Sequence, residues 1–334
     1  MAPRARYEVI VVGAGPAGAT AALGCARAGL DVLLLDRARF PRPKACGSAI
    51  SAGGMALLAD LGLAAAVRAR GRPIHSTRIV ATGGGELVVP NEPGWVRSRA
   101  EFDAVLVDAA VAAGATFRDG ARCTELLRRD GRVRGVRTRD GEVEGRWVVV
   151  ATGAHGALLG DIPADVPLLG VVTWLDGLDL PEGRAELSYP PALAPHYGWV
   201  FPEAEGRVNV GVCVAADRAQ GGLRRLLEDF VSAHLGDRLS GTVRSRVVRG
   251  APIACSLTAC PPGGPGLLAI GEAARFVQAD TAEGIRQALH SGLLASEAIA
   301  RGGTDEGVRA NYQAAVSEAL GPGLGAAGWV IPPS

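Results

Sequence analysis

The stretch YEVIVVGAGPAGATAALGCARAG, residues 7–29, decides how the rest of the chain is interpreted. It begins with a continuous apolar run at residues 9–12, which is typical of a strand buried on both faces of a parallel sheet. The Ala-rich residues 16–28 predict a helix that ends at Gly29. Between them stands GAGPAG, residues 13–18, which fits the GxGxxG pattern in the strand–turn–helix setting that this pattern requires.

The three glycines of this turn have separate physical roles. Gly13 permits a tight turn, Gly15 lets the backbone approach a pyrophosphate at the helix N-terminus, and Gly18 lets helix and strand pack closely. Pro16 and Ala17, which open the helix, are included among the predicted cofactor contacts.

A second apolar strand, residues 31–36, completes a βαβ unit and ends in an acid. Asp36 stands about 20 residues beyond the glycine turn, where a carboxylate accepts hydrogen bonds from ribose hydroxyls. The next residue, Arg37, is also predicted to contact the dinucleotide. Strand, helix and acid together predict one dinucleotide site, whereas the glycines alone would not distinguish such a site from a glycine-rich turn without a ligand.

The composition narrows the class of protein. The 334 residues suggest about two domains and a core large enough to enclose a cofactor. The net charge is +1, so the chain has no excess of basic residues for binding phosphate backbones, and we expect no nucleic-acid partner. The six cysteines form no CxxC pair, which predicts reduced thiols and no metal site. No apolar stretch is long enough to span a bilayer, so we expect a cytoplasmic protein and leave contact with a membrane surface open.

The order of the predicted elements indicates an α/β fold with two interleaved domains. A Rossmann-like, three-layer nucleotide-binding domain carries an inserted antiparallel β-sheet that forms the substrate domain. The first domain takes residues 1–75, 95–160 and 263–320, the second takes 76–94 and 161–262, and 321–334 form a C-terminal tail.

One short segment carries three of the chain's 15 aromatic residues. Tyr197, Trp199 and Phe201 alternate along a predicted strand and share one face, and Pro202 ends the run. Such a face is either the core side of a sheet or the wall of a ligand cavity. The same choice stays open for five apolar residues that would either line a hydrophobic tunnel or form sheet core: Leu168, Leu169, Val171, Val210 and Val212.

The Tyr-x-Trp-x-Phe-Pro string at residues 197–202, behind a dinucleotide-binding N-terminus, resembles the geranylgeranyl reductase family of FAD-dependent flavoproteins. Lys44-Ala45-Cys46-Gly47 is similar to the family's Lys-x-Cys-Gly element, and Ala282-Glu283-Gly284-Ile285 is similar to its Gly-Glu-Gly-Ile segment. The resemblance covers nearly the whole chain, and it implies that Lys44, Cys46, Gly47, Gly284 and Ile285 lie at the flavin.

Further segments resemble the wider glutathione-reductase-type superfamily. The strand that ends in Ala151-Thr152-Gly153 looks like its second nucleotide motif. Gly271-Glu272 looks like its late Gly-Asp motif, whose acid binds the ribityl chain. Arg99 matches an arginine that the reductase and hydroxylase branches place near the flavin phosphates.

The resemblance implies FAD and a reductase that saturates carbon–carbon double bonds of a prenyl substrate in lipid biosynthesis. Hydride would come from reduced flavin, and NAD(P)H or a reduced ferredoxin would supply the electrons. Tyr197, Trp199 and Phe201 would wall the cavity, with phenol and indole as polar handles, and Cys46 would contact the flavin or substrate or donate the proton.

Departures from the family pattern keep two alternatives open. Glu272 stands where Asp is usual, and Ala282 replaces a Gly. An FAD-dependent monooxygenase and a flavin-fold binding protein without turnover therefore remain. A halogenase is disfavoured because Tyr197 and Phe201 depart from its Trp-x-Trp-x-Ile-Pro motif, and because Lys44, the only lysine, belongs to the loop before Cys46.

Overall fold

The computed structural model describes residues 6–154, 158–160, 164–219 and 221–324. Residues 161–163, where the substrate domain was predicted to resume, and 325–334 of the predicted tail lie outside this part. Within it, the elements in chain order are β1 (Arg6–Val12), α1 (Pro16–Arg27), β2 (Val32–Leu35), β3 (Ala49–Ile50), α2 (Ala52–Asp60), α3 (Ala64–Ala69), β4 (Arg72–Val80), β5 (Glu86–Val96), α4 (Arg99–Ala112), β6 (Thr116–Arg118), β7 (Cys123–Arg129), β8 (Arg132–Thr138), β9 (Gly141–Val150), β10 (Val166–Asp176), β11 (Arg184–Ser188), β12 (Gly198–Pro202), β13 (Arg207–Ala215), α5 (Leu223–Leu235), β14 (Val243–Arg244), β15 (Arg249–Cys255), β16 (Gly263–Gly264), β17 (Leu267–Ala269), α6 (Ile285–Arg301) and α7 (Asp305–Leu324).

The first sheet has the strand order β16-β17-β9-β1-β2-β6, and β7 and β8 extend it from β9. Strand β1 lies parallel to both β2 and β9, and β17 lies parallel to β9. Helices α1, α4 and α6 cover one face and form the largest apolar cluster with it. The β7–β8 hairpin packs on the other face. Because buried parallel strands need cover on both sides, the continuous apolar runs of β1 and β2 predicted this layering correctly.

Helices α1 and α6 pack closely because glycines stand at their points of contact. A Cβ on Gly24 would stand 2.1 Å from Ser296 Oγ, and a Cβ on Gly292 would stand 2.4 Å from the carbonyl oxygen of Ala17. This close contact brings the N-terminus of α6 beside the glycine turn before α1.

The second sheet has the order β14-β10-β13-β12-β11-β4-β5-β3, with β15 also paired to β10. All of its pairs are antiparallel except β11 with β4. One face of the sheet packs against α5. The aromatic side chains of β12, Trp199 and Phe201, lie on the other face. The predicted α/β fold with a second, largely antiparallel sheet is confirmed.

Several predicted bounds differ from those of the structure. Strands β4 and β5 run beyond the predicted segment 76–94, and α7 extends four residues into the predicted tail. The domain bounds themselves stay a prediction. Among the described residues, no helix has the length and apolarity that a bilayer span needs.

Candidate functional site

The turn between β1 and α1 has a geometry that only glycine tolerates at two positions. Gly13 has φ +106°, and a Cβ there would stand 2.3 Å from the carbonyl oxygen of Ala151 at the end of β9. A Cβ on Gly18 would stand 1.8 Å from the carbonyl oxygen of Gly13. Pro16 is the first residue of α1, where its missing N–H costs nothing. The turn and the end of β9 are thus fixed against each other.

Two arginines flank the open side of this turn. The position of a Cβ on Gly15 lies 3.5 Å from Arg42 Nη2 and 3.9 Å from Arg99 Nη2. Both arginines bind Asp103: Arg99 Nε donates to Oδ1 at 2.8 Å, and Arg42 Nη1 lies 3.0 Å from Oδ2. Burial alone would lower the pKa of Arg99, but the Asp103 charge raises it above its usual value. Two guanidinium groups beside a helix N-terminus are groups that could hold a pyrophosphate.

Asp36 is buried and held in place by the backbone. Its carboxylate accepts hydrogen bonds from the N–H groups of Ala14 at 2.9 Å and Ala38 at 2.8 Å. Arg42 Nε lies 3.6 Å from Oδ2. Arg37 is exposed, and it forms no hydrogen bond or ion pair within the described part of the chain. Arg42, rather than Arg37, is therefore the arginine that joins Asp36 to the glycine turn.

Sequence reasoning missed Arg42. Arg37, Arg39 and Arg42 stand in the same stretch after β2, and no local pattern separates them. The only available signal was the short spacing from Arg42 to Lys44 and Cys46, which places it in the loop that the resemblance assigns to the flavin.

A second strip of the site joins Lys44, Gly153 and Glu272. Lys44 Nζ lies 3.3 Å from Glu272 Oε2, and a Cβ on Gly153 would stand 3.5 Å from the same oxygen. The other oxygen, Glu272 Oε1, accepts from the N–H of Ala254 at 3.3 Å. The longer side chain that replaces the family's Asp thus has partners for both oxygens.

The neighbouring Gly271 is fixed by its surroundings. It has φ +58°, and a Cβ there would stand 2.7 Å from the Cβ of Ala17. Its N–H donates to Ser291 Oγ at 2.9 Å. These contacts place Glu272 between α1, α6 and the loop that carries Lys44.

The turn before α6 is strained. Ala282 has φ +52°, a left-handed conformation that favours glycine, and glycine is the residue the family has there. Gly284 caps α6 without a side-chain hydrogen bond, and Ile285 begins the helix as a buried residue. No side chain of the described residues caps the first N–H groups of this 17-residue helix, so this end of the helix favours negative charge.

The aromatic residues form a continuous wall. The ring centroids of Tyr197 and Trp199 are 6.4 Å apart, and those of Trp199 and Phe201 are 6.3 Å apart. The loop carrying Cys46 lies flush on this wall, since a Cβ on Gly47 would stand 3.1 Å from the Phe201 ring and 3.2 Å from Trp199 Nε1. The structure therefore brings together the predicted catalytic residues.

Cys46 is held at its sulfur and at its carbonyl oxygen. The N–H of Ser48 donates to Sγ at 3.2 Å, and the Arg99 guanidinium lies close enough to interact electrostatically with this side chain. Its carbonyl oxygen accepts from Asn209 Nδ2 at 3.0 Å. Cys46 thus connects the arginine pair with the aromatic wall.

Two expectations about this region need correction. The Tyr197 hydroxyl donates to the carbonyl oxygen of Thr281, and burial raises the pKa of that phenol above its usual value. Trp199 Nε1 donates to Asn209 Oδ1 at 2.8 Å. The polar groups of both rings are thus used inside the protein and are not free handles, because a buried donor needs a partner.

The apolar residues proposed to line a tunnel divide between the two faces of the sheet. Val171, Val210 and Val212 pack with α5, on the face opposite the aromatic wall. Leu168 lies with the aromatic cluster, and Leu169 is half-buried. Alternation along β10 and β13 makes this division inevitable, so a single wall cannot contain all five residues.

The residues present fit FAD. The glycines leave the backbone of the turn between β1 and α1 accessible to a ligand. Two guanidinium groups face this turn, and Asp36 lies where a ribose could be bound. Thr152 Oγ1 is buried without a hydrogen-bond partner in the described part of the chain, which is the condition of a group that awaits a ligand.

The fold and the site define an FAD-binding flavoprotein. Residues 6–180, over half of the chain, match the family model described as the FAD binding domain. The chain is 34% identical over 330 residues to digeranylgeranylglycerophospholipid reductase 2 of Methanopyrus kandleri, covering 92% of this chain and 80% of that protein. It is 31% identical over 330 residues to the menaquinone reductase of Mycolicibacterium smegmatis, covering 90% and 78%.

A solved structure gives the same result for the fold. A geranylgeranyl bacteriochlorophyll reductase-like protein of Thermoplasma acidophilum superimposes with a TM-score of 0.80 and 24% identity, covering 94% of this chain and 82% of that one. The chain belongs to the family of FAD-dependent oxidoreductases that contains these reductases, as the aromatic motif and the glycine turn predicted.

Proposed function

We propose that this protein is an FAD-dependent reductase that adds two hydrogens across carbon–carbon double bonds of a prenyl chain. The observation that carries the proposal is the junction of Cys46 and Gly47 with Trp199 and Phe201, beside the arginine pair and Glu272. Bound FAD supplies, in its reduced form, the hydride that one alkene carbon receives.

The protein's own residues then have four tasks. Arg42, Arg99 and Asp36 hold the nucleotide through its phosphates and ribose. The N-terminus of α6 stabilises negative charge on the reduced cofactor. Tyr197, Trp199 and Phe201 exclude water from the prenyl chain and present a flat apolar surface to it. Cys46 is the group that we assign to protonate the second alkene carbon.

The other thiols near the aromatic wall are unsuited to proton transfer. Burial raises the pKa of both Cys213 and Cys255 to about 12. Cys46, by contrast, stands next to the Arg99 guanidinium and is only half-buried. Among these thiols, Cys46 is therefore the one that we assign to the proton transfer.

The alternatives predict different chemistry at the same site. Halogenase chemistry would require a free lysine, and Lys44 is paired with Glu272. An FAD monooxygenase would need oxygen for product formation. A binding protein without turnover would leave reduced flavin unchanged when the lipid is added.

The substrate, the electron donor and the location are further parts of the proposal. Relatives named for a prenylated glycerophospholipid and for menaquinone favour a hydrophobic substrate with an isoprenoid chain. We propose NAD(P)H or a reduced ferredoxin as the electron source, and a cytoplasmic protein that contacts the membrane surface to reach the lipid.

An anaerobic reduction assay tests the function. FAD bound to the protein is reduced chemically, a geranylgeranyl lipid is added, and flavin reoxidation is followed together with product mass; a fully saturated phytanyl analogue is the control. We expect reoxidation and a gain of two hydrogens with the unsaturated lipid alone. Flavin that stays reduced until oxygen is admitted, with an oxygenated product, would establish the monooxygenase instead. A protein that binds no added FAD would leave only the binding function.

A further inference from the structure

Asn209 connects the two halves of the proposed catalytic site. It lies on β13, is fully buried, and uses every polar atom of its side-chain amide. Oδ1 accepts from Trp199 Nε1 at 2.8 Å, while Nδ2 donates to the Cys46 carbonyl oxygen at 3.0 Å and to Glu203 Oε1 at 3.1 Å. One amide thus joins the aromatic wall to the loop that carries Cys46.

Glu203 fixes the orientation of this amide. Its carboxylate is buried, and Oε1 also accepts from Trp174 Nε1 at 3.2 Å while Arg207 Nε donates to Oε2 at 2.7 Å. A flipped Asn209 amide would set its oxygen against the Glu203 carboxylate and the Cys46 carbonyl, and its N–H groups against the indole N–H. Only one orientation satisfies all partners, so the network is rigid.

We propose that Asn209 is a positioning residue that sets the distance between the Cys46 loop and the aromatic wall, and that Glu203 holds Asn209 in the orientation this requires. Asn209 acts through Cys46 and Trp199. The loop lies flush on the wall at Gly47, so a displacement of about 1 Å would change how Cys46 meets a bound alkene. The inference rests on the proposed function for its catalytic consequence, while the positioning itself is independent of any substrate.

The first test measures the alkylation rate of Cys46 by iodoacetamide, peptide by peptide, in the FAD-loaded protein. Asn209→Asp keeps the shape and the acceptor for Trp199, but it sets a carboxylate oxygen against the Cys46 carbonyl and Glu203. We expect Cys46 alkylation to become at least about fivefold faster, the factor expected for a lost hydrogen bond. Buried Cys25 is the internal control for general loosening, and Asn311→Asp, at an exposed position on α7, is the matched control variant.

A second variant keeps the test decisive if Asn209→Asp does not fold. Glu203→Gln retains the volume and removes the charge that holds Arg207, so Cys46 alkylation should increase about twofold or more. An unchanged Cys46 rate in either folded variant overturns the proposal, as does an equal increase at Cys25.

Turnover separates positioning from a merely structural role. With a geranylgeranyl lipid, Asn209→Asp should lower kcat at least about tenfold and leave KM within about twofold, since the lipid itself does not touch Asn209. A rise in KM with unchanged kcat overturns the proposal. If the wild-type protein turns over no prenyl lipid, the proposed function fails, and the alkylation result alone still decides whether Asn209 positions the loop.

Discussion

The indole ring of Trp199 lies directly over the backbone of Gly211. The two residues are partners in the antiparallel register of β12 and β13, and a Cβ on Gly211 would stand 2.2 Å from Trp199 Cζ2. The same Cβ would stand 2.5 Å from the carbonyl oxygen of Val171 on the next strand. The glycine thus makes the space in which the central aromatic residue of the wall lies.

Gly211→Ala should therefore displace Trp199. Because one contact is with backbone, the strain cannot be relieved by a side-chain rotation alone, and we expect a loss of about 1–3 kcal/mol in the free energy of unfolding. Urea unfolding and the tryptophan emission spectrum measure the two effects. Gly250→Ala on β15 is the matched control, since the nearest atom to its Cβ would be 3.6 Å away. Equal stability of the two variants would contradict this account.

Arg42→Met should weaken FAD binding. The change removes one of the two guanidinium groups beside Gly15 and leaves Asp36 and Asp103 with less positive charge nearby. Charge-assisted hydrogen bonds are each worth about 1.5–3 kcal/mol, so the Kd for FAD should rise about 10- to 100-fold. Fluorescence titration of the apoprotein measures it. Arg39→Met, at a nearby exposed position, serves as control and should leave the Kd within about twofold.

Ala282→Gly should stabilise the protein. Ala282 has φ +52°, and relief of this left-handed strain outweighs the greater freedom of glycine in the unfolded chain, for a net gain of about 0.5–1 kcal/mol. Ala279 in the same loop does not have a positive φ, so Ala279→Gly relieves no strain and should lower the free energy of unfolding. Thermal unfolding of the two variants gives the comparison. A lower Tm for Ala282→Gly would mean that the turn before α6 is not strained by its alanine.

Sequence patterns predicted the features of the fold that depend on residues close together in the chain. The glycine turn, its flanking strand and helix, and the alternation of Tyr197, Trp199 and Phe201 all depend on residues that are close in sequence. The hairpin of β7 and β8 has an equally local cause, since its turn residues Asp130 and Gly131 both have the positive φ that such a turn requires.

The missed features depend on residues far apart in the chain. Whether Arg42 faces Asp36 and Asp103 is set by how the loop after β2 lies against α4, and whether Asn209 meets Cys46 is set by how that loop packs on the second sheet. No spacing in the sequence records either contact. Register decides the division of the apolar residues as well. Val210 pairs with Val200 and not with Trp199, so it faces α5, although the sequence alone allowed it a place in a tunnel. The short α3 and β6 have too few residues to give a periodic signal.

A buried carboxylate on the other face of the second sheet should control stability in acid. Glu186 on β11 accepts hydrogen bonds from His234 Nε2 at 3.0 Å, Arg238 Nη2 at 2.9 Å and Arg78 Nη1 at 3.0 Å. Burial alone would raise the pKa of this carboxyl, but the hydrogen bonds and charges of these partners lower it from 4.5 to about 2. The folded protein therefore holds this group ionised at a pH where the unfolded chain has already bound a proton.

The stability that Glu186 contributes is fully present above about pH 4.5 and is lost as the pH falls through about 2. A difference of this size corresponds to about 3 kcal/mol. Glu186→Gln should lower the free energy of unfolding at pH 7 by about this amount, because it leaves Arg78 and Arg238 without their shared anion. It should also flatten the decline in stability between pH 4.5 and 2. Urea unfolding at a series of pH values measures both effects.

Glu228→Gln, which removes an exposed ion pair with Arg224 on α5, should cost less than about 1 kcal/mol and keep the wild-type pH dependence. If Glu186→Gln kept the wild-type decline in acid, the loss of stability there would have to come from other carboxylates.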